Sequence, residues 1–111
     1  MVVNKPAVII YCHEADEDYL REICAGMEEE GVPFRILKKD ADMDVLAFDA
    51  AKESMLGVGI GIEGRRIAMQ MQHLPIGKNV FELHAPAFWQ CRNLGANGAR
   101  AIKKMPFKPV Y

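Results

Sequence analysis

Leu56-Gly57-Val58-Gly59-Ile60-Gly61-Ile62-Glu63-Gly64-Arg65-Arg66-Ile67-Ala68-Met69-Gln70-Met71 is the stretch that decides the fold. It holds two β-compatible runs, Leu56 to Ile62 and Arg65 to Met71, with only Glu63-Gly64 between them. A two-residue X-Gly connection of this kind marks a tight hairpin, so the second run is expected to return antiparallel to the first. The glycines resemble a phosphate-cradling loop only superficially. They lack the G-x-G-x-x-G spacing, and no helix start follows to receive a phosphate. Glycines two apart share one face of a strand, where they let a helix or a partner come close.

Upstream of the hairpin the pattern alternates. Ala7 to Tyr11 is a nearly continuous apolar run, as in a central strand covered on both faces. Leu20, Ile23, Cys24 and Met27 follow as the stripe of an amphipathic helix, with Asp16 as its N-cap and Gly31 as its left-handed stop. Phe34 to Leu37 reads as a second strand. A second helix is expected from Met43 to Lys52, capped by Asp42, with Val45, Leu46, Phe48 and Ala50 among its apolar positions. Downstream, Asn79 to Leu83 reads as a fifth strand. Pro86 suits the first turn of a closing helix that bends at Gly95 and continues through Lys104, before Pro106 and Pro109 stop it. The order β-α-β-α-β-β-β-α predicts an α/β fold of three layers (α/β/α) around a mixed five-stranded sheet. With right-handed crossovers, the simplest strand order is 2-1-3-4-5 with strand 4 antiparallel.

The 111 residues fit one domain spanning 1–111, and 50% apolar with 26% charged residues is ordinary for a globular chain. A net charge of −1 gives no global pull toward nucleic acid or membrane. Charge is unevenly spread: Glu14 to Glu30 is acidic, whereas Ala85 to Tyr111 has no acid but carries Arg92, Arg100, Lys103, Lys104 and Lys108. That basic segment matches no nucleic-acid-binding module. Cys12, Cys24 and Cys91 are odd in number and lack C-x-x-C spacing, which fits a reducing compartment and neither a disulfide framework nor a zinc site. With no leader-like or membrane-spanning run, a cytoplasmic chain is expected.

Candidate chemistry is sparse. Cys12-His13 follows the first strand, where α/β proteins often place ligands, and a thiolate beside an imidazole is a possible nucleophile. The acids Glu14, Asp16, Glu17 and Asp18 oppose thiolate formation. His73 and His84 share no metal-ligand spacing, and Phe88-Trp89 reads as core or interface. The conspicuous misfit is Glu28-Glu29-Glu30. These carboxylates end the first helix, where the carbonyl dipole disfavours them by roughly 0.3–1 kcal/mol each, and no cation stands one turn upstream. At about 100° per residue Glu28 and Glu30 flank the apolar stripe as solvated charge, while Glu29 points away from it toward solvent or a partner.

Three segments together resemble a known family. Ile23-Cys24-Ala25-Gly26-Met27-Glu28-Glu29-Glu30-Gly31-Val32-Pro33 resembles the LCxGLEExGVP segment of the small subunits of glycerol and diol dehydratase reactivases. Gly57 to Gly61 with Ile67-Ala68 is similar to their VGIG…IAL hairpin. Leu74-Pro75, Arg92-Asn93-Leu94-Gly95-Ala96-Asn97 and Met105-Pro106 follow in the same order. Departures are Glu30, a more acidic 12–18 loop and a more basic closing segment. The resemblance implies an anticodon-binding-domain-like fold similar to the dehydratase medium subunit. It also implies a non-catalytic role in a chaperone-like factor, cytoplasmic or associated with a bacterial microcompartment. Such a chain pairs with a large ATPase subunit that holds ATP or ADP, as an α2β2 assembly. By subunit swapping, the factor helps release damaged cobalamin from an adenosylcobalamin-dependent glycerol or diol dehydratase. The chain alone binds no cofactor. The resemblance places a Mg2+ at the interface with the large subunit, with Glu29 as this chain's ligand and Glu28, Glu29 and Glu30 as partner interface. The alternatives are a structural protein like the dehydratase medium subunit, and a small enzyme using Cys12 and His13.

Overall fold

The computed structural model describes residues 5–111. Five strands, β1 (Val8–His13), β2 (Phe34–Lys38), β3 (Val58–Glu63), β4 (Arg66–Met71) and β5 (Phe81–His84), form one sheet in the order β2-β1-β3-β4-β5. β1 pairs parallel with β2 and β3, and β4 runs antiparallel between β3 and β5. Three helices complete the chain: α1 (Glu17–Glu29), α2 (Met43–Glu53) and α3 (Phe88–Lys103). This is the expected mixed α/β sheet. The hairpin turn itself sits one residue later than expected. Glu63 pairs with Arg66 and the two-residue loop is Gly64-Arg65, with Gly64 at φ 57°.

Alternation along the central strands separates two unequal faces. Val8, Ile10 and Cys12 of β1, Val58, Ile60 and Ile62 of β3, and Ile67 and Met69 of β4 join Tyr19, Ile23, Met27, Cys91 and Leu94 in the larger core beneath α1 and α3. On the opposite face Ile9 and Tyr11 meet Leu46 and Ala50, and Ala68 meets Met43 and Ala47. β3 offers Gly59 and Gly61 there, followed by Glu63, whose Oε1 accepts from the Met43 amide at the start of α2 at 3.1 Å. A Cβ on Gly59 would lie 2.1 Å from the Ala51 amide nitrogen, and one on Gly61 would lie 2.5 Å from that of Ala47. The glycine pair therefore lets α2 lie directly on the strand backbone. The buried side of α2 is Met43, Leu46, Ala47, Ala50 and Ala51, and Val45 and Phe48 are only partly covered. Small alanines fit the short gap to β3 where a phenylalanine does not.

The helix ends follow the sequence closely. Asp16 accepts a bond from the Tyr19 amide at 3.0 Å, and Asp42 accepts one from Val45 at 3.0 Å. Gly31 takes the left-handed position after α1, at φ 74°. α3 departs from expectation twice. Pro86 precedes the N-cap, Ala87, and Gln90 satisfies the free Ala87 amide from within the first turn. The helix is unbroken at Gly95 because that glycine serves packing: a Cβ there would stand 2.0 Å from the Ile23 carbonyl oxygen. Gly26 is the counterpart on α1, its Cβ position 2.0 Å from the Arg92 carbonyl oxygen. α1 and α3 thus run side by side in the same direction in backbone contact.

The sheet's two edges differ. Among the described residues β2 is open along its outer side, with Arg35, Ile36 and Lys38 exposed. β5 is overlaid by residues 105–111, through edge-on contacts of Phe81 with Phe107 and Tyr111.

Gly95→Ala is expected to destabilise the chain by about 2–4 kcal/mol in urea denaturation, since backbone rather than a flexible side chain must move. A loss below about 0.5 kcal/mol would contradict the close helix crossing.

Candidate functional site

The acidic end of α1 lies against the basic side of α3. Because the two helices run in the same direction, their carbonyl ends lie together. α3 carries Arg100 and Lys103 in its last turn, where cations suit its own dipole. Lys103 Nζ donates to Glu30 Oε1 at 2.9 Å and to the Glu30 carbonyl oxygen at 2.8 Å. Arg100 Nε lies 3.3 Å from Glu30 Oε2. Glu30 is therefore not the solvated flanking charge expected from its helical angle. Its side chain is only 10% exposed. The Lys103 hydrogen bond and the Arg100 and Lys103 charges hold its carboxyl below its ordinary value of 4.5, against an opposing desolvation effect.

Glu29 is also paired within the chain, but incompletely. Arg92 directs both Nε, at 2.7 Å, and Nη2 to Glu29 Oε1, and donates Nη1 to Glu22 Oε1 at 3.0 Å. These two carboxylates raise the pKa of Arg92 further. Both bonds to Glu29 end on the same oxygen, and among the described residues no donor reaches Oε2. The Glu29 side chain is 47% exposed. Glu28 is exposed and makes no ion pair among the described residues. The three glutamates thus have three different environments. What the sequence reading missed was Arg92, Arg100 and Lys103 as counter-charges. The signal was there, in an acid-free stretch facing an acid-rich one, but the pairs lie 63 to 73 residues apart.

The alternative site is a cleft of about 600 Å³ at the carboxyl end of β1, between α1 and β2, lined by Cys12, His13, Leu20, Ile36 and Lys39 among others. His13 Nε2 stands 3.4 Å from Asp40 Oδ1, outside the Cys12 side chain's apolar surroundings. Burial above all, then Cys24, pushes the Cys12 thiol up to about 11 against the Lys38 charge; the acids that the sequence emphasised are not what raises it. Cys24 and Cys91 are likewise raised, to about 11 and about 12, chiefly by burial. All three thiols are free. Packing of Cys12 beneath α1 leaves no activated nucleophile at this position. His73 and His84 are both exposed and lie outside this cleft. Phe88 and Trp89 resolve in favour of surface: each is 52% exposed at the start of α3, with Phe88 edge-on to Tyr19.

Among the described residues no group of three or more His, Cys, Asp or Glu side chains is placed to hold a metal ion, and no helix is long and apolar enough to cross a membrane. Fold and surface together define a small three-layer α/β domain whose most developed polar feature is an ion-paired helix end. A family model described as dehydratase medium subunit matches residues 5–108. The diol dehydratase-reactivating factor small subunit of Klebsiella michiganensis is 35% identical over 109 residues, covering 96% of this chain and 87% of that one. A glycerol dehydratase reactivase structure superposes with a TM-score of 0.90 at 30% identity, covering 96% of this chain and all of that one. A diol dehydratase-reactivating factor complexed with ADP and Mg2+ gives 0.88 at 33% identity, with the same coverage. The chain belongs to the dehydratase medium subunit family, alongside the small subunits of the dehydratase-reactivating factors.

Glu30→Gln is expected to lower stability by about 1 kcal/mol at neutral pH. The carboxyl's pKa is depressed in the folded chain, so its contribution is complete above 4.5 and is lost as pH falls through the depressed folded value. Urea midpoints of the two proteins should therefore converge as pH falls below that depressed value; parallel curves down to pH 2 would contradict the ion pairs. Native Cys12 is expected to resist iodoacetamide at pH 7.5 and to react once the chain is unfolded, as read by peptide mass spectrometry.

Proposed function

We propose that this chain is the non-catalytic small subunit of a dehydratase-reactivating factor. It acts as one domain, in the cytoplasm, paired with a large subunit that carries the ATPase activity and the ADP or ATP, as an α2β2 assembly. The factor would help an adenosylcobalamin-dependent glycerol or diol dehydratase shed damaged cobalamin through subunit swapping. The supporting observation is the match in fold and sequence to reactivase small subunits over 96% of the chain.

We propose further that Glu29 is the residue this chain contributes to an interface Mg2+, with Glu28 and Glu30 beside it at the partner surface. A hard cation takes oxygen ligands, and Glu29 keeps one carboxylate oxygen free of internal donors on a half-exposed side chain. Arg92 fixes the other oxygen and so orients the carboxylate. One free oxygen suits a site completed by a partner and does not suit a self-contained one. When bound, the ion would bridge the subunits electrostatically. Glu30, committed to Arg100 and Lys103, shapes the surface without reaching outward.

Glu29→Gln is expected to weaken Mg2+-dependent assembly with the large subunit at least tenfold, as read by analytical ultracentrifugation with and without EDTA. Glu17→Gln, an exposed carboxylate at the opposite end of α1, serves as the control that leaves assembly unchanged. Equal Mg2+-dependent assembly of wild type and Glu29→Gln would remove Glu29 from the metal site. No assembly with any large subunit would remove the functional reading itself.

A further inference from the structure

After α3 the chain reverses through Lys104, a non-glycine residue in the left-handed region at φ 56°, and Met105–Tyr111 runs back along the helix without joining the sheet or forming a helix. Four α3 side chains spaced along the helix each donate to a backbone carbonyl of this segment. Arg100 Nη1 reaches the Pro106 oxygen at 3.0 Å, and Asn97 Nδ2 reaches that of Lys108 at 2.8 Å. Asn93 Nδ2 reaches Pro109 at 2.8 Å, and Gln90 Nε2 reaches Val110 at 2.7 Å. From position 90 to 100 a helix rises about 15 Å. The four peptide steps from 106 to 110 span about 12–14 Å when extended. The two rows match in length and run in opposite directions.

The donor pattern is selective. Proline offers a carbonyl but no N–H, so a segment with Pro106 and Pro109 presents mainly acceptors, which four side-chain donors satisfy. Two segment N–H groups are taken up by α3: Met105 donates to the Arg100 carbonyl oxygen at 3.0 Å, and Lys108, between the prolines, donates to Asn97 Oδ1 at 2.7 Å. Asn97 is fully buried and makes both of its polar contacts with this single residue. Val110 is the apolar anchor, 1% exposed in the larger core. Met105, Phe107 and Tyr111 remain substantially exposed, which is poor packing for a segment that serves only to fill a core. Side-chain donors reading the carbonyls of a proline-punctuated extended chain are the chemistry of a peptide-recognition groove.

We propose that the trough between α3 and β5 is a binding site for an extended peptide of the form Pro-x-x-Pro-aliphatic, and that Met105–Tyr111 is its ligand in cis. The segment acts as a strap that keeps the site filled until a peptide of the same chemistry from a partner displaces it. Covalent attachment gives the strap an effective concentration of order millimolar, so the intact chain should take up little free peptide.

The test uses the full chain with a protease recognition sequence inserted between Lys104 and Met105. After cleavage, the released segment is expected to co-elute with the folded body. A fluorescent peptide of sequence Met-Pro-Phe-Lys-Pro-Val-Tyr should then exchange into it, read by polarisation. The uncleaved chain should bind the same peptide at least tenfold more weakly. Replacing both prolines of the peptide with alanine should reduce affinity at least fivefold, as should Asn93→Ala in the body. A cleaved body that stays folded by circular dichroism and takes up no peptide would overturn the proposal. Unfolding of the body on cleavage would also overturn it, by making the segment part of the core. Uptake indifferent to the prolines would overturn the specificity.

Discussion

The backbone contact of α1 with α3 at Gly26 and Gly95 is the constraint on which the surface of this chain depends. With any side chain at either position the helices would stand further apart, and the ion pairs between them would lengthen with the gap. Because the contact is parallel, it brings two helix carbonyl ends together, an arrangement that is electrostatically unfavourable by itself. α3 resolves it by carrying its cations in that turn, and those cations also neutralise α1. The crossing and the charge pattern are therefore one feature: the glycines set the distance, and Arg92, Arg100 and Lys103 make that distance favourable.

The same economy of small residues shapes the other face. Gly59 and Gly61 against the alanines of α2 bring a helix onto a strand with almost no side-chain layer between them. The larger hydrophobic content goes to the opposite face, which carries two helices and most of the core. β3 is thus buried between one thin and one thick covering, and its two-residue hairpin sets the direction of β4.

Most of the fold was legible in the sequence because its signals are local. The apolar run at Ala7 to Tyr11, the Asp16 and Asp42 caps, the Gly31 stop and the tight hairpin each depend on a few adjacent residues, and each lies where those residues indicate within a position or two. The errors concern residues whose role is tertiary. Gly95 reads locally as a helix bend and is instead a contact point. Phe48 reads as one of the apolar positions of α2, yet it lies off the buried side formed by Met43, Leu46, Ala47, Ala50 and Ala51. Glu30 is the clearest case at the candidate site. Its angle on α1 says solvent, and only residues of α3 some seventy positions away enclose it. Glu29 was legible as outward-facing, but the guanidinium holding one of its oxygens was not. The polar ladder from α3 to Met105–Tyr111 left no local signature beyond two prolines that read simply as helix stops.

The unequal sheet edges bear on how the chain behaves without company. An unpaired strand edge is a template for pairing with another chain, and pairing of this kind is the first step of aggregation. At β5 the template is covered, with Tyr111 placed against the Glu82 backbone at 3.4 Å on both its amide and its carbonyl. At β2 it is bare among the described residues, but Arg35 and Lys38 place positive charge along a strand only five residues long. Two identical β2 edges approaching each other would bring like charges together before any backbone bond could form. Cover at β5 and like charge at β2 therefore both oppose edge-to-edge pairing of identical chains.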